Sequence, residues 1–376
     1  MLIARQTIRI REVGNRGDTS LTGATRIRFH RIPETKQVGL AAAAEGSNTL
    51  TVLRLYPHRV RAAEMLTLCC SIWAFSFPAM KALGMLALRD APGWTSAGFS
   101  AASIAVRFWG AAALLMVWVG RDLRRLTRLE CLQGMGIGVF GSLGLILQMD
   151  GMAYTAASTS AFLTQGYCIW IPLWFSLRSR RVPAFAEWVS ALLVLGGAMI
   201  LAGLDARSLR LGRGEWENLL GSVLFAGQIL MLDHPRFGAN DVRRFSWVMF
   251  LTIATVCSLL VACVPGRGPL RELGTALTSP TALGLTLLLV GPCTLLTFLW
   301  ANRWQREVPA AEASLLYCTE PVFTSLVTWF FPGWLSAWSA IQYPNERLTG
   351  NLVLGGGMIL GANLWLQWRN RQRTAG

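Results

Sequence analysis

Charge is scarce in this chain and histidine scarcer: 15% of its 376 residues are charged and 3 are His. From Met65 onward the apolar stretches hold no His, and His234 stands alone at the end of one. An integral membrane enzyme needs convergent His, Asp, Glu or Cys groups near one interface, so the chain does not read as an enzyme. There is no G-x-x-x-x-G-K-[ST] run, which removes coupling to ATP through a P-loop. The 8 cysteines show neither zinc-type spacing nor a secreted disulfide framework, and most read as small apolar residues in helix packing. No metal and no cofactor is expected. A net charge of +15 would suggest nucleic acid if it formed a patch. Apart from the first residues, however, the cations lie in short gaps between apolar runs.

What is present in excess is apolar surface: 53% hydrophobic residues and 16 Trp, beyond an ordinary soluble domain. From Met65 the apolar stretches fall at 65–85, 97–119, 132–150, 156–177, 184–204, 217–233, 246–265, 281–301, 308–331 and 350–367. Each is near the ~20 residues that a bilayer requires, which predicts an all-α membrane protein of ten transmembrane helices. Pro92-Gly93, Pro183, Pro265-Gly266 and Pro332-Gly333 mark turns, and Trp94, Trp188, Trp216, Trp247, Trp304 and Trp368 fall at expected interfaces. One set of loops collects most of the arginines, at 59–61, 121–128, 178–181, 236–244, 303–306 and 369–373. The other set holds Arg89, Arg207, Arg210, Arg213, Arg267, Arg271 and Arg347. With an even number of spans, that asymmetry predicts a multi-pass cell-membrane protein with both termini cytoplasmic. Gly134-x-x-x-Gly138, Gly357-x-x-x-Gly361 and Gly196, Gly197 and Gly203 offer close helix approach.

Residues 1–61 form a basic tail with no apolar run long enough for a signal-peptide core. Three readings stand: translation from an upstream start with the working protein beginning near Met65, a disordered cytoplasmic tail touching anionic lipid, or an Arg-rich transit segment. A second basic tail closes the chain at 369–376.

The stretch Val308–Phe331 carries Glu320-Pro321 inside an otherwise apolar run. A carboxylate at that depth costs on the order of 3 kcal/mol, and Pro321 removes a helix hydrogen bond. Helical spacing sets Tyr317, Glu320, Thr324 and Thr328 on one face. The stripe reads either as the wall of a pathway or as a kink whose acid is paired with a neighbouring helix. Trp73, Phe77 and Lys81 share a face of the first stretch, and Arg107 sits mid-way along the second. For both cations, snorkelling or a fixed ion pair competes with a substrate role. Ser160, Thr164 and Tyr167 make a milder polar stripe, against the commoner reading of hydroxyls bonded within and between helices. Gln148 and Gln228 lie late in their stretches, and Asp150 and Asp233 read as solvated helix ends.

Several of these motifs resemble one family. Trp73…Phe77…Lys81 resembles the W-x-x-x-F-x-x-x-K opening of EamA-like members of the drug/metabolite transporter superfamily. Arg107-Phe108, Met152–Ser158, Glu320-Pro321-Val322-Phe323 and Asn345-Glu346-Arg347-Leu348-Thr349 are similar to further segments of that family, in the same order. The resemblance implies two five-helix inverted EamA repeats, 65–204 and 214–368, working by alternating access. It implies a secondary transporter, an exporter, of small metabolites such as amino acids or organic anions. Multidrug or cation transport, nucleotide-sugar transport and a non-transporting membrane scaffold are the alternatives. The expected pathway residues are Trp73, Phe77, Lys81, Arg107, Tyr167, Tyr317, Glu320, Pro321 and Thr324. Expected partners are a small-molecule substrate and the lipid bilayer, with no nucleic acid; proton coupling and a homodimer stay open. The chain departs from the family at Asn345, where Gly is usual, and in an inserted segment, Pro332–Pro344. No acid lies between Met65 and Leu86, so the first-span glutamate coupling of small multidrug relatives does not carry over.

Overall fold

The structure, a computed structural model, describes residues 49–180, 182, 185–201, 211–263 and 268–375. Most of the basic tail, Arg181, Pro183, Gly203, Arg207, Arg210, Pro265, Gly266 and Arg267 lie outside the described residues. Among those described, the regular structure is all helical, with no strand. Helix α1 covers Thr49–Trp73, so it runs straight through the expected tail boundary at residue 61. Ala62 is fully buried and the Arg61 guanidinium stacks over Trp304 at 5.7 Å.

The chain then continues as α2 (Ser76–Asp90), α3 (Ser96–Val119), α4 (Arg128–Gly151), α5 (Ala157–Thr164), α6 (Tyr167–Arg178) and α7 (Phe185–Leu201). The second half comprises α8 (Arg213–Asp233), α9 (Val242–Cys263), α10 (Leu270–Thr278), α11 (Pro280–Val290), α12 (Thr297–Trp304), α13 (Ala310–Tyr317), α14 (Glu320–Thr328), α15 (Phe331–Ser339) and α16 (Gly350–Ala375). Five segments are long and apolar enough to cross a membrane: Val60–Asp90, Ser96–Val119, Arg128–Gly151, Val242–Cys263 and Pro280–Glu307. The other expected stretches are helical too but fall short for particular reasons. Two are cut in half, α5–α6 at Gln165-Gly166 and α13–α14 at Cys318-Thr319. Helix α7 has 17 described residues, and α8 carries Arg213, Glu215, Glu217 and Asp233.

Proline explains most of the interruptions. The α1–α2 break at Ala74-Phe75 lies four residues before Pro78, whose ring would press on the Ala74 carbonyl in a continuous helix. Pro292 sits in a π-helical turn, Gly291–Leu296, between α11 and α12. Pro321 was expected to remove a mid-helix hydrogen bond. Instead the helix ends before it, and Pro321 occupies the first turn of α14, where an N–H would have no intrahelical partner anyway.

Helix α4 packs along α8 and α9, α9 along α3, and α7 along α16, while α1 lies against α12, α13 and α14. At the α4–α9 crossing a Cβ on Gly134 would meet the Phe245 carbonyl and Val248 at 2.6 Å, and one on Gly138 would meet Thr252 at 2.6 Å. That is the close approach expected of a small-residue pair. Gly357 and Gly361 do not behave likewise: both face open space. The close contacts of α16 come from the residues between and beside them: Gly355 and Ile359 meet Gly197, and Gly356 meets Phe162. Two further expectations need correcting. Trp94 is buried, its indole donating to the Pro269 carbonyl at 3.2 Å, because α10 folds over it. Asp150 is no solvated helix end but buried, bonded to Ser96 and paired with Arg213 at 2.5 Å. Arg213, placed ahead of the apolar run, also pairs with Glu217, and these contacts raise its pKa. Its charge is thus locally neutralised.

Candidate functional site: a cavity where the broken helices meet

The discontinuities converge on one cavity of about 110 Å³. Helix ends leave backbone groups without intrahelical partners, so a cavity built on breaks is polar even where its side chains are apolar. Trp73 and Phe77, on either side of the first break, line it, as do Tyr167, Tyr317 and Glu320 beside the breaks of the α5–α6 and α13–α14 pairs. Arg107 reaches in from α3. The structure therefore brings six of the nine expected residues to one space. Phe298 and Phe225 complete an aromatic wall, with Trp73 edge-on to Phe298 at 5.5 Å and tilted against Tyr317 at 5.8 Å.

The other three expected residues sit elsewhere. Lys81 turns away from the cavity and donates to the Met152 and Thr155 carbonyls at 3.1 and 2.5 Å, where α4 ends and the link to α5 begins. A cation on the carbonyl end of a helix is favoured by the free C=O groups and the helix dipole. Pro321 is buried in the first turn of α14. Thr324 is buried with its hydroxyl on the Glu320 carbonyl at 2.9 Å, and Thr328 bonds Ser325 in the same manner. The expected polar stripe thus divides: Tyr317 and Glu320 face the cavity, while the two threonines are satisfied by their own helix. Ser160 likewise leaves its stripe to bond Asn218 at 2.5 Å, and Thr164 and Tyr167 stay on the cavity wall.

Arg107 is 3% exposed and has no carboxylate partner among the described residues. Its guanidinium instead takes the Cys293 carbonyl at 3.0 Å, the Thr294 hydroxyl and the Met80 sulfur at 3.4 Å. Cys293 and Thr294 belong to the π-helical turn, which presents a backbone carbonyl and a hydroxyl to the guanidinium. Glu320, equally, has no cationic partner among the described residues; its nearest polar neighbour is the Gln165 amide, Nε2 to Oε2 at 3.4 Å. Of the two readings of Glu320, a partner cation on a neighbouring helix is not found among the described residues: neither Lys81 nor Arg107 pairs with it.

Sequence reasoning missed an amide lining. Gln165 accepts from the Tyr167 hydroxyl at 2.7 Å, and Gln305 accepts from the Tyr317 hydroxyl at 2.9 Å and donates to the Ile229 carbonyl at 3.2 Å. Asn302, which donates to Ser246 at 2.9 Å, joins Gln148 and Gln228 on the wall. Each tyrosine is thus oriented by a glutamine, one set from each half of the chain. Chemically the cavity offers one fixed cation, one carboxyl group, several amides that donate or accept, and aromatic faces. Among the described residues no group of three or more His, Cys, Asp or Glu is arranged for a metal ion.

No protein-family model matches the chain, and no curated protein matches it. A solved structure described only as "Crystal structure of protein" is similar over 81% of this chain and 98% of that one, at 14% identity and a TM-score of 0.48.

Proposed function

We propose that the chain is an EamA-like secondary transporter, with ten spans in two inverted five-helix halves that move a small metabolite by alternating access. The observation that carries this reading is the cavity: it lies where three helices are interrupted and holds a buried guanidinium and a carboxyl group, neither ion-paired among the described residues. Intramembrane charges without partners are costly, and they persist where a ligand supplies the counter-charge. With α1–α2, α5–α6, α11–α12 and α13–α14 each counted as one span, the packing supports two halves. Contacts of span three with six, seven with three and four with six are matched by contacts of eight with one, eight with two and nine with one. Spans two and seven, four and nine, and five and ten pack on their own counterparts. Exchanging the halves leaves that pattern unchanged, and a site between repeats is where such transporters bind solute.

Charge narrows the substrate. With Lys81 fastened to backbone outside the cavity, the site presents one cation and one carboxylate, which fits a zwitterion such as an amino acid better than a simple organic anion. Arg107 takes the carboxylate; Glu320, with the Tyr167 and Tyr317 faces beside it, takes the ammonium. The test is flux. Purified full-length protein in proteoliposomes is expected to take up labelled amino acids saturably above protein-free vesicles. A folded, monodisperse preparation that moves no amino acid, organic anion or cationic dye would overturn the reading.

A further inference from the structure

The central cavity is flanked by two further spaces, and it shares one apolar lining side chain with each. Near the start of α3, a pocket of about 60 Å³ is lined by Lys81, Ser96 and Met152. Near the other end of α3, at Trp118, a vestibule of about 660 Å³ is lined by Arg243, Arg303 and Arg306. Met80 borders both the central cavity and the first pocket; Leu232 borders both the central cavity and the vestibule. These two residues are 2% and 5% exposed.

They also occupy matching places. Trp73, Ser76, Phe77 and Met80 line the cavity from one half, and Phe225, Gln228, Ile229 and Leu232 line it from the other, at one constant separation along the chain. Both series follow the i, i+3, i+4, i+7 face of a helix, ending on the residue that divides two spaces. The match extends one residue further, to a charged group in each half. Lys81 fastens the α4–α5 connection through the Met152 and Thr155 carbonyls; Asp233 accepts from the Ala310 N–H at 3.4 Å and fastens the α12–α13 connection.

We propose that Met80 and Leu232 are the two apolar gates of the pathway, one at each end, and that Lys81 and Asp233 latch the connection beside each gate. An apolar constriction closes a pathway by excluding water. Met80, which is unbranched, and Leu232 can swing aside by rotamer change, Met80 giving up only the weak bond that its sulfur accepts from Arg107. The inference rests on the transport reading, and its test separates the two. A cysteine is placed at Ser76 in a cysteine-free full-length chain, in vesicles of known orientation, and labelled with an impermeant methanethiosulfonate from either side. Leu232→Ala is expected to speed labelling about tenfold from the vestibule side alone, and Met80→Ala about tenfold from the opposite side alone. Leu232→Met and Met80→Leu should keep labelling slow, which holds the test open if an alanine variant folds poorly. Acceleration from both sides, or from neither, overturns the gates. Sided acceleration in a protein that moves no solute leaves the gates standing and removes transport; flux with unaltered labelling does the reverse.

Discussion

Arg107 and Glu320 line the same cavity, and on the transport reading proposed above one zwitterionic solute would partner both. Binding only to the folded state stabilises it by RT ln(1 + [L]/Kd), about 2.7 kcal/mol at a hundredfold excess over Kd. A zwitterionic amino acid is therefore expected to raise the melting temperature of the purified protein, and Arg107→Gln should abolish that rise while the variant still unfolds cooperatively. Glu320→Gln should keep part of the binding but lose gradient-driven accumulation and flatten its pH dependence; unchanged transport and pH profile would make the residue incidental. These two residues were legible because a charge in an apolar run is rare enough to stand out. Asn302 and Gln305 were not, since an uncharged amide looks the same whether it faces a cavity or another helix. Lys81 misled for a physical reason: its Cα shares a face with Trp73 and Phe77, but the long side chain carries its charge away to the Met152 and Thr155 carbonyls.

Elements were readable as helices from their length and apolarity, and the breaks less so. Pro78 and Pro321 announce an interruption, but each acts one turn upstream, so the broken residues are Ala74-Phe75 and Cys318-Thr319. The Gln165-Gly166 break has no proline at that distance and went unseen. Helix α10 was missed because nine residues between turns carry too short a period to read. Small-residue pairs show the same limit: spacing says that two glycines share a face, not what the face meets. The two pairs accordingly predict opposite outcomes. Gly134→Ala drives a Cβ into the Phe245 carbonyl and Val248, and should cost about 1–3 kcal/mol. Gly357→Ala meets nothing within 4 Å and should leave stability within about 0.5 kcal/mol. Thermal unfolding of the two variants in one detergent checks both, and equal destabilisation would contradict the packing described.

At the scale of the molecule, the arginine-rich loops and the exchange-symmetric packing bear on different expectations. Reporter fusions after Arg128 should read cytoplasm and fusions within Pro332–Pro344 the far side; a cytoplasmic signal from the latter would undo the assignment of the ninth span. Because α4 packs on α8 and α9, and α9 on α3, neither half buries its own faces. Residues 1–204 and 211–376 expressed separately should each be degraded, and expressed together should co-purify. Pairing between halves was not legible in the sequence, which carries periodicity along each helix but no record of which helices meet. Tyr167 and Tyr317 stand edge to face at 6.4 Å, and the sulfurs of Cys168 and Cys318 lie 3.3 Å apart, each Tyr-Cys dipeptide meeting the other. A residue that touches its own counterpart sits on a two-fold axis. If the chain is built of two inverted repeats, as proposed above, and these descend from one duplicated gene, the ancestral five-helix protein would have inserted in both orientations and met a second copy of itself at this contact, a homodimeric handshake now held within a single polypeptide.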